Sequence, residues 1–180
     1  MEFEIIITER LQLKKYTPEI YNTIFTNYSE AEIKELISQD NDDEYLKQLK
    51  RFKAGFSSFN RSFVYFQLIE AISNKIIGGC GFHNWTIDHN RAELGYALDN
   101  DMYKNKGYMT EALHKVIEYG FERMNLNRIE ACVGPGNIPS LRLVEKFGFS
   151  REGLLREHFL KDGIHVDSLI FSLLKSEYRF

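Results

Sequence analysis

The sequence predicts a mixed α/β fold, and three observations carry that expectation. Runs rich in β-branched and aromatic residues recur along the 180 residues, at strand length and bounded by turn residues. One stretch, residues 109–124, keeps its apolar side chains at helical spacing. Strands and helices follow one another without linker, internal repeat or low-complexity tract, so residues 1–180 are expected to form one domain.

Residues 5–15 open with isoleucines and then alternate, with Leu11 and Leu13 on one face, which predicts a first strand. Pro18 opens a helix carrying Ile20, Ile24 and Phe25 at helical spacing. Residues 30–53 are charged and helix-prone, and the acidic patch 40–44 reads as a solvated turn between two helices. Residues 62–71 and 75–85 form a hairpin about Ser73-Asn74. In the next strand, 91–98, Glu93, Gly95 and Ala97 face one way and Leu94, Tyr96 and Leu98 the other. Met109, Ala112, Leu113, Val116, Ile117, Phe121 and Met124 then make the strongest helical stripe in the chain. Residues 128–133 are a short strand, Asn137 caps a short helix with Pro139 in its first turn, and Gly148 follows its end. Residues 149–160 and 164–174 close the chain as a hairpin about Lys161-Asp162-Gly163.

Composition excludes several function classes. With 26 acidic and 23 basic residues the formal charge is −3, whereas proteins that wrap nucleic acid carry a basic excess. No direct nucleic-acid partner is expected. Cys80 and Cys132 lie in strand-like runs without metal-ligand spacing, so they are expected to be small buried thiols, and no metal site is expected. No apolar run approaches the ~18 residues of a membrane span, and Met1-Glu2-Phe3-Glu4 lacks a basic leader region. The expectation is a cytoplasmic protein with no membrane partner.

The junction 103–112, Tyr-Lys-Asn-Lys-Gly-Tyr-Met-Thr-Glu-Ala, carries the clearest chemical signal. A strand ends, a polar loop follows, and Gly107 precedes the strong helix. Free amides and the positive dipole end of a helix make an anion site. Gly107 lets a ligand approach the backbone, and Lys104 and Lys106 add charge for phosphate. The spacing is neither that of a nucleoside triphosphate loop nor that of a dinucleotide fold.

This segment resembles motif A of the GNAT acetyltransferase superfamily, Arg/Gln-x-x-Gly-x-Gly/Ala. Lys104 stands at the first position, Gly107 at the central glycine and Met109 at the last, so two of the three depart. The run Tyr108-Met109-Thr110-Glu111-Ala112 is similar to the ribosomal-protein N-acetyltransferase branch. So are Thr8-Glu9-Arg10-Leu11-Gln12-Leu13, Ala92-Glu93-Leu94-Gly95-Tyr96, Asn137-x-x-Ser140 with Glu145-Lys146-Phe147-Gly148-Phe149, Glu152-Gly153-x-Leu155-Arg156 and Lys161-Asp162-Gly163. The resemblance implies a mostly antiparallel sheet of seven strands, splayed between the fourth and fifth, with about four helices. It implies acetyl-CoA as co-substrate. The pyrophosphate would lie on the amides of Lys104, Asn105, Lys106, Gly107, Tyr108, Met109 and Thr110. The pantetheine arm would pair with the fourth strand at Tyr96, Ala97 and Leu98, with Asn137, Ser140 and Phe147 beside it. Between Leu98 and Tyr103 the chain is one residue longer than common relatives.

Acetyl transfer to an amine needs the ammonium deprotonated, the thioester carbonyl polarised and the leaving thiolate protonated. A thiol of pKa ~8.5 leaves readily enough for direct attack, so Cys80 and Cys132 are not required as nucleophiles. A backbone N–H near Leu98 can polarise the carbonyl. Glu93, on the strand flanking the cleft, is the candidate base, directly or through water; a surface glutamate paired with Arg91 or a neighbouring strand is the plainer reading. Glu130, across the splay, is the alternative. Asn137 and Ser140 share one face of a helix turn, with Asn137 able to act as a cap alone and Ser140 as the candidate proton donor to sulfur. Many relatives carry a tyrosine acid where this chain has Val144, which leaves Ser140 or a water in its place. His83, Trp85 and Tyr96 are candidates for the acceptor side.

The resemblance implies a protein N-terminal α-amine as acceptor, such as that of a ribosomal protein. The alternatives are a small amine (polyamine, amino acid or antibiotic) and a non-catalytic CoA-binding module. The sheet edges and closing hairpin make a homodimer a possible assembly.

Overall fold

The computed structural model describes residues 1–39, 41–55 and 61–179. Eight strands form one sheet in the order β1-β2-β3-β4-β5-β6-β8-β7, numbered along the chain. They are β1 (Ile5–Ile7), β2 (Leu11–Tyr16), β3 (Arg61–Glu70), β4 (Ile76–Thr86), β5 (Arg91–Leu98), β6 (Arg128–Val133), β7 (Ser150–Lys161) and β8 (Ile164–Leu174). Five α-helices accompany them: α1 (Pro18–Asn27), α2 (Glu30–Ser38), α3 (Asp42–Ala54), α4 (Tyr108–Glu122) and α5 (Ile138–Lys146). All neighbouring strands are antiparallel except β5 and β6. The mixed α/β class is as expected; among the described residues the counts are eight and five rather than seven and about four.

The additional strand arises where one strand was expected over residues 5–15. The chain reverses between Ile7 and Leu11, so that Ile5 pairs with Lys14. Thr8 N donates to Leu11 O at 2.9 Å. The patch 40–44 also differs from a simple turn. Asn41 Oδ1 accepts from Glu44 N at 3.1 Å, so Asp42, Asp43 and Glu44 form the first turn of α3, where acidic side chains suit the helix dipole. Asp40 lies outside the described residues.

The sheet carries helices on both faces. Leu11, Leu13, Phe66, Leu68, Ile77, Phe82, Ala92 and Leu94 pack with the α4 stripe Met109, Ala112, Leu113, Val116, Ile117 and Phe121, and Val144 of α5 joins this core. Alternation sends Tyr16, Phe63 and Tyr65 to the other face, where Tyr21, Ile24, Ile33, Ile37 and Tyr45 of α1–α3 form a second core. Among the described residues no helix is long and apolar enough to cross a membrane.

Candidate active site

β5 and β6 pair only through Arg91↔Arg128, Ala92↔Ile129 and Glu93↔Glu130. Beyond Glu93, β5 continues to Leu98 on β4 alone, Gly78 opposite Leu98. The backbone edge at Tyr96, Ala97 and Leu98 is thereby left without a β6 partner, and the sheet opens where the splay was expected. α5, with Asn137 as its N-cap and Ser140 in its first turn, follows β6 on the far side, and Tyr96 Oη donates to Ser140 O across the opening at 3.4 Å. Asn137 Oδ1 accepts from Ser140 N at 3.3 Å, so its capping role is present. The Phe147 ring meets His114 of α4 edge-on at 4.8 Å. Val144 is buried in the core, 2% exposed, and is a packing residue.

The loop before α4 has the features an anion needs. Gly107 takes φ 82 and Asn105 φ 58, two left-handed residues that turn the chain into the helix. The N-cap of this 15-residue helix is Gly107, which has no side chain to cap it, and this leaves its first amides for a ligand. Lys104 lies 2.5 Å from Asp101 and is half exposed. Tyr108 Oη bonds Glu70, while Met109 is buried below. A diphosphate fits this set of donors; a carboxylate cap does not stand in the way.

A clasp unforeseen from the sequence holds this loop. Arg10 Nε lies 2.7 Å from Glu111 Oε2, its Nη1 donates to Lys106 O at 2.9 Å, and its guanidinium stands 4.7 Å over the Tyr108 ring.

On the face carrying α1–α3, a cavity of about 790 Å³ opens beside β5. Tyr21, Phe63, Tyr65, His83, Asn84, Gly95, Tyr96 and Asp99 are among its lining. Glycines give it space: a Cβ at Gly79 would collide with the Tyr65 ring, and one at Gly95 would come within 3.1 Å of His83. The run Gly78-Gly79-Cys80-Gly81 inside a strand is the sequence signal for this floor. His83 and Tyr96 line this cavity, and Tyr96 also packs against the α4 core. Trp85 instead packs, partly buried, against the core.

The two candidate carboxylates have different surroundings. Glu130 is bound by Arg91 Nη1 at 3.0 Å and Arg128 Nε at 2.8 Å, and Arg128 also binds Glu152. Glu93 faces His83 Nε2 at 3.4 Å and accepts from Asn84 Nδ2 at 3.0 Å. The His83 hydrogen bond, with Asn84 and the Cys132 thiol, holds the Glu93 carboxyl down to about 2 against the opposing effect of burial. Burial first, and then Glu93, pushes the Cys132 thiol up to about 11; burial alone pushes Cys80 up. Neither cysteine favours the thiolate. Among the described residues no three His, Cys, Asp or Glu side chains are grouped to hold a metal.

Residues 10–150 match the family described as the acetyltransferase (GNAT) domain. The chain is 36% identical to p20 of Bacillus licheniformis, itself described as an uncharacterized N-acetyltransferase, over 97% of this chain and 98% of that one. It is 31% identical to the Escherichia coli [ribosomal protein uS5]-alanine N-acetyltransferase over 63% of this chain and 59% of the relative. Among solved structures, a GNAT-family acetyltransferase from Bacillus anthracis superposes with a TM-score of 0.66 at 25% identity, covering 97% of this chain and 100% of that one.

Proposed function

The chain belongs to the GNAT acetyltransferase family, and from that premise we propose that it moves an acetyl group from acetyl-CoA directly to the α-amine of a protein N-terminus. The observation that carries this reading is the end of the β5–β6 ladder at Glu93 and Glu130. The opening lies between the uncapped start of α4, on one face of the sheet, and the glycine-floored cavity on the other. A donor and an acceptor approaching from opposite faces would meet at the free edge of β5.

In this reading the amides of residues 104–110 hold the pyrophosphate, with Lys104 and Lys106 adding charge. The edge at Tyr96, Ala97 and Leu98 pairs with the pantetheine amides, flanked by Asn137 and Phe147. The bound co-substrate supplies an acetyl group already activated as a thioester. A β5 amide near Leu98 polarises its carbonyl, and Ser140 serves the sulfur. The proton acceptor belongs to the group around Glu93.

The acceptor reading has two supports. One relative bears the name of a ribosomal-protein alanine acetyltransferase. Among the described lining residues the charged side chains are Lys47, itself paired with Glu44 and Asp99, Arg61 and Asp99, rather than the cluster of carboxylates that would suit a polycation such as a polyamine. Thiol release from acetyl-CoA, measured with Ser- and Ala-initiated peptides, spermidine and free amino acids, tests it. A higher kcat/KM for the peptides is expected; preference for spermidine or an amino acid would move the acceptor to the small amines. For a second copy as partner, the tip of β7 and β8 presents Phe159, Leu160 and Ile164 largely exposed. Sedimentation of the wild type against Phe159→Asp tests that assembly.

A further inference from the structure

His83 and Glu93 are direct cross-strand partners of β4 and β5. Their side chains therefore leave the same face of the sheet as neighbours, the face that carries the cavity. Nε2 of His83 lies 3.4 Å from Glu93 Oε2. The other edge of the ring, Cε1 and Nδ1, lies over Gly95, where a Cβ would come within 3.1 Å of both atoms. His83 and Gly95 line the cavity; Glu93 is not among its lining. Asn84, at φ 51 in the irregularity where the β4–β5 register shifts, turns its amide to the same Glu93 oxygen.

From this geometry we propose that His83 takes the proton of the acceptor ammonium and that Glu93 is its positioning residue. The inference rests on the acetyl-transfer reading above. A neutral imidazole that gives its Nε2–H to the carboxylate keeps Nδ1 as an acceptor, on the side of Gly95 and the cavity. The ammonium passes one proton to Nδ1 and becomes an amine; the amine nitrogen forms the C–N bond and the C–S bond breaks. The second nitrogen proton leaves with the thiolate as a thiol, and His83 returns the first to solvent. One proton is released per acetyl transferred, and charges balance.

Two observations set His83 apart from the carboxylates. Glu93 is surrounded by donors from His83, Asn84 and Cys132, which favour its anion and make it a weak proton acceptor near neutrality. Glu130 is engaged by two arginines. An orienting carboxylate behind an imidazole is the arrangement that fixes its tautomer.

The experiment uses the full chain with acetyl-CoA and the same panel of peptides, spermidine and amino acids, reading thiol release against pH. His83→Gln is expected to lower kcat about 100-fold or more. It should remove the limb near neutrality while the acetyl-CoA KM stays within about twofold of wild type. Glu93→Gln is expected to lower kcat about tenfold while the limb itself persists, because Nδ1 remains the proton acceptor. A second readout needs no turnover: the nitrogen NMR shifts of the His83 ring, which report its tautomer, should change in Glu93→Gln. Unchanged ring-nitrogen shifts, an intact limb in His83→Gln, or loss of the limb in Glu93→Gln alone would each overturn the assignment. A wild-type protein that acetylates nothing in the panel would instead overturn the acetyl-transfer reading, and this inference with it.

Discussion

Glu111, in the first turn of α4, holds Arg10 of the β1–β2 reversal through two contacts: Arg10 N donates to Oε1 at 2.7 Å and Arg10 Nε to Oε2 at 2.7 Å. Thr8 Oγ1 donates to the same Oε1 at 2.6 Å. One carboxylate thus fixes both the chain reversal and the loop that precedes the helix. The bond from Arg10 Nη1 to Lys106 O completes the clasp.

Arg10→Ala should therefore weaken cofactor binding without touching the chemistry. The half-buried ion pair and its charge-assisted bonds are worth about 1–2 kcal/mol here, discounted for the exposed guanidinium. Titration calorimetry with CoA is expected to give a Kd raised about tenfold, with kcat at saturating acetyl-CoA within about threefold of wild type. An unchanged Kd would leave Arg10 a role in folding alone.

Gly107→Ala tests the turn from the other side. At φ 82 an alanine is strained by roughly 1–2 kcal/mol. Its Cβ would also sit 3.3 Å from Arg10 Nη2, pressing on the clasp. A melting temperature lower by a few degrees and a weaker CoA affinity are expected together. Asn105→Gly, at φ 58, relaxes a similar strain and should lose neither.

Packing between α4 and β4 turns on Gly120. A Cβ there would meet Phe82 Cζ at 2.6 Å and Leu126 Cδ1 at 3.2 Å. Alanine would gain about 1 kcal/mol of helix propensity, but overpacking a buried ring costs about 1–3 kcal/mol. Gly120→Ala should lower the melting temperature, and Phe82→Leu in the same chain should recover part of the loss. Simple additivity of the two changes in a double-mutant cycle would reject the contact as the cause.

Much of this arrangement is legible in the sequence where local pattern decides it. The α4 stripe, the 91–98 and 128–133 strands and the Asn137 cap follow from spacing and capping chemistry alone, and all four stand in the fold. The reversal at Thr8–Arg10 is not legible, because its anchor, Glu111, lies about a hundred residues away in the chain. In the sequence His83 is one aromatic among several; the β4–β5 register sets it opposite Glu93, and that register shifts immediately beyond it. Glu93 and Glu130 look alike in the sequence; the two arginines on one and the histidine on the other distinguish them.

The lowered Glu93 pKa has a consequence for stability that can be measured without substrate. Its folded-state value, about 2, lies below the ordinary ~4.3 of a free glutamate, chiefly through the His83 hydrogen bond. The unfolded chain therefore takes up this proton first as the pH falls, and the stability the group contributes is present above about pH 4.5 and lost on the way down to 2. Glu93→Gln cannot titrate and lacks the anion at every pH. The melting-temperature gap between wild type and Glu93→Gln should be widest above about pH 5 and narrow steadily toward pH 2. Glu152, held to about 2 by Arg128, titrates alike in both proteins and cancels in the difference. A gap that stays constant from pH 7 to pH 3 would mean that the carboxylate contributes only through packing, and would remove the His83 bond as the source of its acidity.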